Sequence, residues 1–103
     1  MNILQSLFGG GETIDLKSII EEGAFLVDVR TPGEFAGGHV SGSVNIPLNN
    51  LPAQLGKFKN KKNIVVFCRS GNRSGQAKII LEQNGFTRVV NGGSWERVNK
   101  FLK

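Results

Sequence analysis

The feature that most constrains the fold is an apolar run that leads directly into a polar, glycine-containing loop and then into a helix-forming segment. Ile64–Phe67 has the composition of a buried strand. Gln76–Asn84 places apolar residues at helical spacing. Cys68 lies where the strand ends. A strand, a loop and a helix in this order are typical of an α/β fold with a parallel sheet.

The rest of the chain alternates between strands and helices in the same way. Asp15 is a favourable N-cap for a helix over Leu16–Glu22. Thr31-Pro32-Gly33-Glu34 has the form of a capping box that begins a short helix, and Ser94 is positioned to cap a last helix. The other predicted elements are strands over Thr13–Ile14, Phe25–Val29, Val44–Ile46 and Arg88–Val90, a small helix over Leu51–Leu55 and a tight turn at Gly92-Gly93.

Cys68 is the only cysteine, and the residues after it favour a reactive thiolate over an inert thiol. The first turn of a helix offers unpaired N–H groups and a positive dipole end, which stabilise the charged form. Arg69 and Arg73 add positive charge, and Gly71 lets successive N–H groups point inward as an anion nest. A lone cysteine is otherwise a small buried hydrophobe, but that role needs no such loop. The lysine of a Walker phosphate loop is absent.

Asp28 and Arg30 lie at the end of the Phe25–Val29 strand, and two interpretations are open for Asp28 and for His39. If the strands are parallel, Asp28 lies at the same sheet edge as Cys68, where it either braces the reactive loop or makes a local cap or salt bridge. Arg30 is expected to pair with Glu34. His39, the only histidine, would be a catalytic base if it paired with Cys68. The favoured interpretation of His39 is a hydrogen-bonded turn residue.

The chain carries a net charge of +5, and its basic residues are unevenly distributed. No Asp or Glu occurs from Ala36 to Leu81. The reactive loop lies inside this span, so a positive local potential that attracts small anions is expected. Lys57–Lys62 is expected to be a solvated loop, and no nucleic-acid partner is predicted because its lysines lack interleaved aromatic residues. The basic residues of the span are Lys57, Lys59, Lys61, Lys62, Arg69, Arg73 and Lys78.

Neither a targeting segment nor a membrane span is predicted. Residues 1–11 have too few apolar residues for a signal peptide, and no stretch reaches membrane-spanning length. A cytoplasmic location is therefore expected, in a reducing compartment that suits a free thiol. One cysteine excludes an intramolecular disulfide and a cysteine-based metal cluster, and no cofactor or metal is predicted. Residues 1–12 are interpreted as a short N-terminal segment and residues 13–103 as a single domain.

Three ordered motifs resemble those of rhodanese-like sulfurtransferases of the short single-domain type. The loop Cys68–Ser74 resembles the active-site loop of that family, and Val27–Phe35 with Gly38–Pro47 resembles its first signature. Val90–Gly93, followed by Trp95, resembles its closing motif. The resemblance covers roughly residues 13–102. It implies a rhodanese-like α/β fold with a five-stranded, mainly parallel sheet and helices on both faces.

The resemblance also implies a thiosulfate sulfurtransferase that carries a persulfide on Cys68. A small anionic donor such as thiosulfate would supply the sulfur, and cyanide, a thiol or a protein would accept it. Because the chain has no second cysteine to resolve the persulfide, the acceptor must come from outside. The implied substrate-binding residues are Arg69, Ser70, Gly71, Asn72 and Arg73, and the implied loop supports are Asp28 and Ser74.

Two other functions are compatible with this loop. Dual-specificity phosphatases of the cell-cycle type share the fold, but their loop has one residue more than the four that separate Cys68 from Arg73. A shorter loop makes a smaller cradle, which suits a sulfur atom better than a phosphate group. A sulfur carrier or binding module without useful turnover would form the same persulfide. Turnover with thiosulfate and cyanide distinguishes the carrier from the enzyme.

Overall fold

The computed structural model describes residues 15–102. The strand expected over Thr13–Ile14 and the N-terminal segment lie outside the described residues. The elements in chain order are α1 (Leu16–Glu21), β1 (Phe25–Asp28), α2 (Pro32–Ala36), β2 (Val44–Asn45), a 3-10 helix (Leu48–Phe58), β3 (Ile64–Cys68), α3 (Asn72–Gln83), β4 (Val89–Ser94) and α4 (Trp95–Lys100).

The strands form a parallel sheet in the order β2-β1-β3-β4. β3 pairs with a strand on each side, and all five of its residues are buried. A strand covered on both faces reads as a continuous apolar run rather than an alternating one, which explains the composition of Ile64–Phe67. The predicted parallel α/β fold is confirmed, with four strands in residues 15–102 where five were expected for the whole sheet.

Helices cover both faces of the sheet, as predicted. On one face, α3 and the 3-10 helix bury Leu51, Phe58, Ala77 and Leu81 against β1 and β3. On the other face, α1 and α4 contribute the second core, which is made of Leu16, Leu26, Val40, Val65, Phe67 and Val98. The sheet edge that carries Cys68 is thus held between two separate apolar layers.

The predicted helix caps are confirmed. The Asp15 carboxylate accepts a hydrogen bond from the Ser18 backbone N–H at 3.1 Å. The capping box of α2 is complete, because the Glu34 carboxylate accepts from the Thr31 N–H at 3.0 Å and the Thr31 hydroxyl accepts from the Glu34 N–H at 3.2 Å. The Ser94 hydroxyl accepts from the Arg97 N–H at 3.1 Å. Each cap satisfies a donor that the first helical turn would otherwise leave unpaired.

Three predicted boundaries are wrong. α3 begins at Asn72 rather than Gln76. The earlier start was missed because the first turn of the helix is polar and carries no apolar periodicity. β4 continues to Ser94, so the turn expected at Gly92-Gly93 is a bulge inside the strand, with Asn91 opposite Val66 and Gly93 opposite Phe67. The helix expected over Leu51–Leu55 is a longer 3-10 helix that continues through Pro52 and is kinked at Gln54.

Residues 15–102 contain neither a membrane-spanning helix nor a cluster of metal-binding side chains. No helix there is long and apolar enough to cross a membrane. No group of three or more His, Cys, Asp or Glu side chains there is arranged to hold a metal ion.

Candidate active site

Cys68 is the last residue of β3, and its side chain is only 1% exposed. The chain turns from this strand into α3 within three residues. Gly71, the residue before α3, adopts a φ of +101°, a conformation that glycine reaches without the steric cost of a Cβ. This turn directs the Gly71 N–H at the Cys68 Sγ, at 3.0 Å. The predicted strand–loop–helix placement of the thiol is therefore present.

Hydrogen bonds set the acidity of this thiol. Burial on its own would raise the pKa of Cys68. Hydrogen bonding with the Ser74 hydroxyl and with the backbone N–H groups of Ser74, Gly71 and Ser70 outweighs burial and lowers the pKa from 9.0 to about 7. These donors stabilise the charged form of the sulfur. A lowered pKa in this range means that part of the Cys68 population is thiolate near neutral pH.

Ser74 and Asn91 connect the sulfur to β4. Ser74 is fully buried, and its Oγ lies 3.5 Å from the Cys68 Sγ. The same hydroxyl donates to Asn91 Oδ1 at 2.7 Å. The Asn91 amide also donates to the Gly71 carbonyl at 3.0 Å. No role was predicted for Asn91, for which the only signal in the sequence was its place in the third motif.

The guanidinium of Arg73 is bound to Glu34 rather than directed at the sulfur. Its two terminal nitrogens donate to the two Glu34 oxygens at 2.7 and 3.0 Å. This ion pair, together with the Thr31 N–H, lowers the pKa of Glu34 to about 2. The expected Arg30–Glu34 pair is therefore wrong, because Glu34 serves the capping box of α2 and the first turn of α3 at once.

Arg30 pairs instead with Asp28. Its Nε and Nη2 donate to the carboxylate at 2.7 to 3.0 Å, and Nη2 also donates to the Gly38 carbonyl at 2.7 Å. Both side chains are buried, with 5% and 0% exposure. The guanidinium lies over the Trp95 ring, 4.8 Å from its centroid. Asp28 thus makes the local salt bridge that was one of its two interpretations.

An open cleft of about 260 Å³ lies beside the reactive loop. Arg69 belongs to both the loop and the cleft and is exposed. Trp95, which directly follows the β4 residue paired with Cys68, lines the same cleft. Arg30, Gly33, Glu34, Gly37, Gly38 and Glu96 complete the lining.

The remaining predicted site residues lie around this centre. Ser70 is exposed, and its N–H is among the donors that lower the pKa of Cys68. Asn72 is the first residue of α3, and its side chain accepts from the Gln76 amide at 3.2 Å. His39 is an exposed turn residue whose Nδ1 donates to the Phe35 carbonyl at 2.8 Å. This bond matches the favoured interpretation of His39.

Known proteins resemble this chain in sequence and in fold. Residues 12–99 match the family described as rhodanese-like domain. A sulfurtransferase of Allochromatium vinosum is 36% identical over 90 residues, which cover 84% of each chain. Thiosulfate sulfurtransferase PspE of Escherichia coli is 41% identical over 69 residues, 65% of this chain and 66% of that protein. The solved structure of a rhodanese with anions from E. coli has 37% identity and a TM-score of 0.66, covering 72% of this chain and 89% of that one.

Proposed function

Because the chain belongs to the rhodanese-like domain family, we propose that it is a sulfurtransferase that moves a sulfane sulfur from thiosulfate to a thiol or to cyanide through a persulfide on Cys68. The observation that carries this proposal is the 3.0 Å hydrogen bond from the Gly71 N–H to the Cys68 Sγ. This hydrogen bond is one of several that together lower the pKa of the Cys68 thiol to about 7. A sulfur that is partly ionised at neutral pH is the nucleophile that this chemistry requires.

The first half-reaction loads the protein. The Cys68 thiolate attacks the outer sulfur of thiosulfate, and a new S–S bond forms as the bond between the two thiosulfate sulfurs breaks. Sulfite leaves with the electron pair of the broken bond, and the negative charge passes to the terminal sulfur of the persulfide. No oxidant is needed, because one S–S bond replaces another and the transferred sulfur stays at the sulfane oxidation level.

The second half-reaction unloads it. A thiolate or cyanide attacks the terminal sulfur, and the S–S bond of the persulfide breaks. The product is a new persulfide or thiocyanate, and Cys68 returns as a thiolate. Two half-reactions that share one covalent intermediate give ping-pong kinetics. The acceptor comes from outside, since Cys68 is the only cysteine, and we assign the reaction to the cytoplasm, where a free thiol stays reduced.

Arg69 is the side chain best placed to bind the sulfonate end of the donor. It is exposed and lines the cleft beside the loop. Arg73 was an equal candidate from sequence, but Glu34 occupies both of its terminal nitrogens. We therefore assign Arg69 the direct contact and Arg73 a weaker, longer-range attraction. The donor lies against the backbone of Ser70 and Gly71 in the loop and of Asn72 at the start of α3, and Ser74 and Asp28 support this backbone.

Intact-protein mass spectrometry after incubation with thiosulfate tests the proposal. The wild type should gain the mass of one sulfur atom, and cyanide should remove it. Cys68→Ser should gain nothing, because a serine hydroxyl at this position is not ionised at neutral pH. A gain on Cys68→Ser, or no gain on the wild type with thiosulfate, would overturn the mechanism. Loading by a protein persulfide alone would instead identify a sulfur carrier.

A further inference from the structure

The Ser74 hydroxyl lies between two groups that compete for its single proton. Its Oγ is 2.7 Å from Asn91 Oδ1 and 3.5 Å from the Cys68 Sγ. A serine hydroxyl has one proton to donate and lone pairs with which to accept. While Cys68 is a thiol, its S–H can donate to Oγ and the hydroxyl can donate to Asn91. When Cys68 is a thiolate, both neighbours of the hydroxyl are acceptors, and only one can receive the proton.

The acceptor character of Asn91 towards Ser74 is fixed by the backbone. The Gly93 N–H, which can only donate, points at Asn91 Oδ1 at 3.0 Å. The Gly71 carbonyl, which can only accept, receives Asn91 Nδ2 at 3.0 Å. A flip of the amide would place the Asn91 NH₂ group against the Gly93 N–H, so that two donors face each other. It would also place the Asn91 oxygen against the Gly71 carbonyl, so that two acceptors face each other. The oxygen therefore stays directed at the Ser74 hydroxyl whatever the charge of the sulfur.

The fold leaves Asn91 no alternative position. It lies directly before the bulge in β4, beneath the first turn of α3. A Cβ at Gly75 would meet the Asn91 amide nitrogen at 3.4 Å, and a Cβ at Gly92 would meet Val98 at 2.8 Å and Val65 at 3.0 Å. Gly75 thus lets α3 approach β4 closely enough for the amide to reach both Gly71 and Ser74, and Gly92 lets β4 pack closely against α4 and β3.

We propose that Asn91 is a positioning residue that withholds the Ser74 proton from Cys68 and thereby limits how much thiolate the free protein holds. The proton moves by rotation of the hydroxyl, so no bond between heavy atoms changes. When Cys68 takes up a sulfur, the charge moves from Sγ to the terminal sulfur. With no charge left on Sγ, the Ser74 hydroxyl again donates its proton to Asn91 Oδ1. Its use in catalysis rests on the proposed function, but the proton competition itself is a property of the free thiol.

The charged groups around the sulfur lie on other elements than Asn91. Arg69 follows Cys68 in the loop, and Arg73, which interacts electrostatically with both Cys68 and Asp28, contributes from α3. Glu34 from α2 pairs with Arg73, and Arg30 pairs with Asp28 at the end of β1. A neutral substitution at Asn91 leaves all five of these groups in place.

Asn91→Leu is the decisive variant, because the competing explanations predict opposite signs. With the acceptor removed, the Ser74 hydroxyl has only the sulfur to bond. The thiolate fraction at about pH 6 should rise about threefold, which corresponds to a pKa about half a unit lower. If Asn91 only braced the loop, its loss would loosen the N–H donors and the thiolate fraction would fall. The rate of alkylation by iodoacetamide as a function of pH measures this fraction without any sulfur donor.

Two matched variants complete the test. Asn84→Leu makes the same chemical change at the far end of α3, where the side chain bonds the Ile80 carbonyl at 2.8 Å, and should leave the alkylation profile unchanged. Asn91→Leu combined with Ser74→Ala should lose the gain in thiolate. A lower or unchanged thiolate fraction in Asn91→Leu overturns the proposal, as does a gain that survives Ser74→Ala.

A measurement on the wild-type sequence covers the case in which Asn91→Leu fails to fold. The side-chain amide signal of Asn91 in a nitrogen-15 spectrum should shift with the same midpoint as the alkylation profile. The shift should be strongly reduced in Ser74→Ala and absent in Cys68→Ser. An Asn91 signal that does not respond to pH, or responds equally without the Ser74 hydroxyl, contradicts the proton competition. Neither result depends on whether thiosulfate loads the protein.

Discussion

The two edges of the sheet both carry several positive charges, but they hold them in different ways. At the carboxyl edge, Arg30 and Arg73 make two-nitrogen contacts with Asp28 and Glu34 at 2.7 to 3.0 Å. At the amino edge, Lys62 and Arg88 approach Glu22 only to 3.9 and 3.8 Å, and their side chains are 64% and 60% exposed.

This difference shows that local charge density is a poor guide to the site. The acid-free span suggested a positive field around Cys68, but four of its five lysines, Lys57 to Lys62, precede β3 and so lie towards the opposite edge of the sheet from the sulfur. Glu34 comes from outside the span and neutralises Arg73. Exposed charges contribute little to stability or order. At the carboxyl edge, the carboxylates of Asp28 and Glu34 and the backbone carbonyl of Gly38 fix the positive groups in position.

Removing one member of a buried pair should give the largest effect. Arg30→Met leaves the Asp28 carboxylate buried without its partner, and the free energy of unfolding should fall by about 3–5 kcal/mol. Lys62→Met at the other edge should change it by less than about 0.5 kcal/mol. Urea denaturation measures both. Equal losses would remove the distinction between the two edges.

The pH dependence of loading should follow the thiolate. Because the pKa of Cys68 is lowered to about 7, the reactive form is lost as pH falls. The rate of persulfide formation should drop roughly fiftyfold between pH 7 and pH 5 and should level off above about pH 8. Stopped-flow or quenched mass measurements give this rate. Lys61→Ala should leave the midpoint unchanged, and a midpoint near 9 would mean that the loop donors do not act on the sulfur.

Loss of Arg69, the exposed arginine of the reactive loop that lines the cleft, should weaken donor binding. Arg69→Ala should raise the KM for thiosulfate about tenfold or more, the size expected for a hydrogen bond to a charged group. Arg73→Ala should raise it only about two- to threefold, since Glu34 already engages that guanidinium. Lys61→Ala is the matched loss of a cation at the amino edge and should leave the KM unchanged. If Arg73→Ala has the larger effect, the assignment of the two arginines is reversed.

Releasing Arg73 should give the smallest effect. Glu34→Gln keeps the shape of the capping box but removes the ion pair, which is about a third exposed. Its stabilising contribution is present above about pH 4.5, the ordinary range of a glutamate, and is lost as pH falls towards about 2. Near neutral pH the unfolding free energy should therefore fall by about 0.5–1 kcal/mol.

The same variant should also improve donor binding slightly. With its carboxylate partner gone, Arg73 is free to attract an anion, and the KM for thiosulfate should fall about twofold. Glu82→Gln breaks an exposed pair with Lys78 elsewhere on α3 and serves as the control. It should cost comparable stability without changing the KM. A Glu34→Gln enzyme with a raised KM would show that the pair holds Arg73 in a productive position.

The sequence predicts local features of this protein better than its long-range contacts. The caps at Asp15, Thr31 and Ser94 were predictable because donor and acceptor lie within three residues of each other. The end of β3 at Cys68 was predictable from an abrupt change of composition. The roles of the predicted site residues stay predictions until the substitutions are made.

Contacts between distant segments gave no such signal. Glu34 and Arg73 are 39 positions apart, and only the parallel pairing of β1 with β3 brings α2 next to the first turn of α3. A nearer arginine, Arg30, was the obvious partner from sequence, but its own strand end supplied Asp28. Asn91 was missed because an asparagine before two glycines is most often a turn residue, whereas here a bulge keeps it inside β4.

The strand order ties the reactivity of Cys68 to the completion of folding. β3 pairs with β1 on one side and with β4 on the other, and every pairing in a parallel sheet joins segments distant in the chain, which folds slowly. α3 packs against both β3 and β4, so the turn that directs the Gly71 N–H at Cys68 is held in place only once β4 has joined the sheet. We therefore expect the lowered pKa of the thiol to arise late in folding.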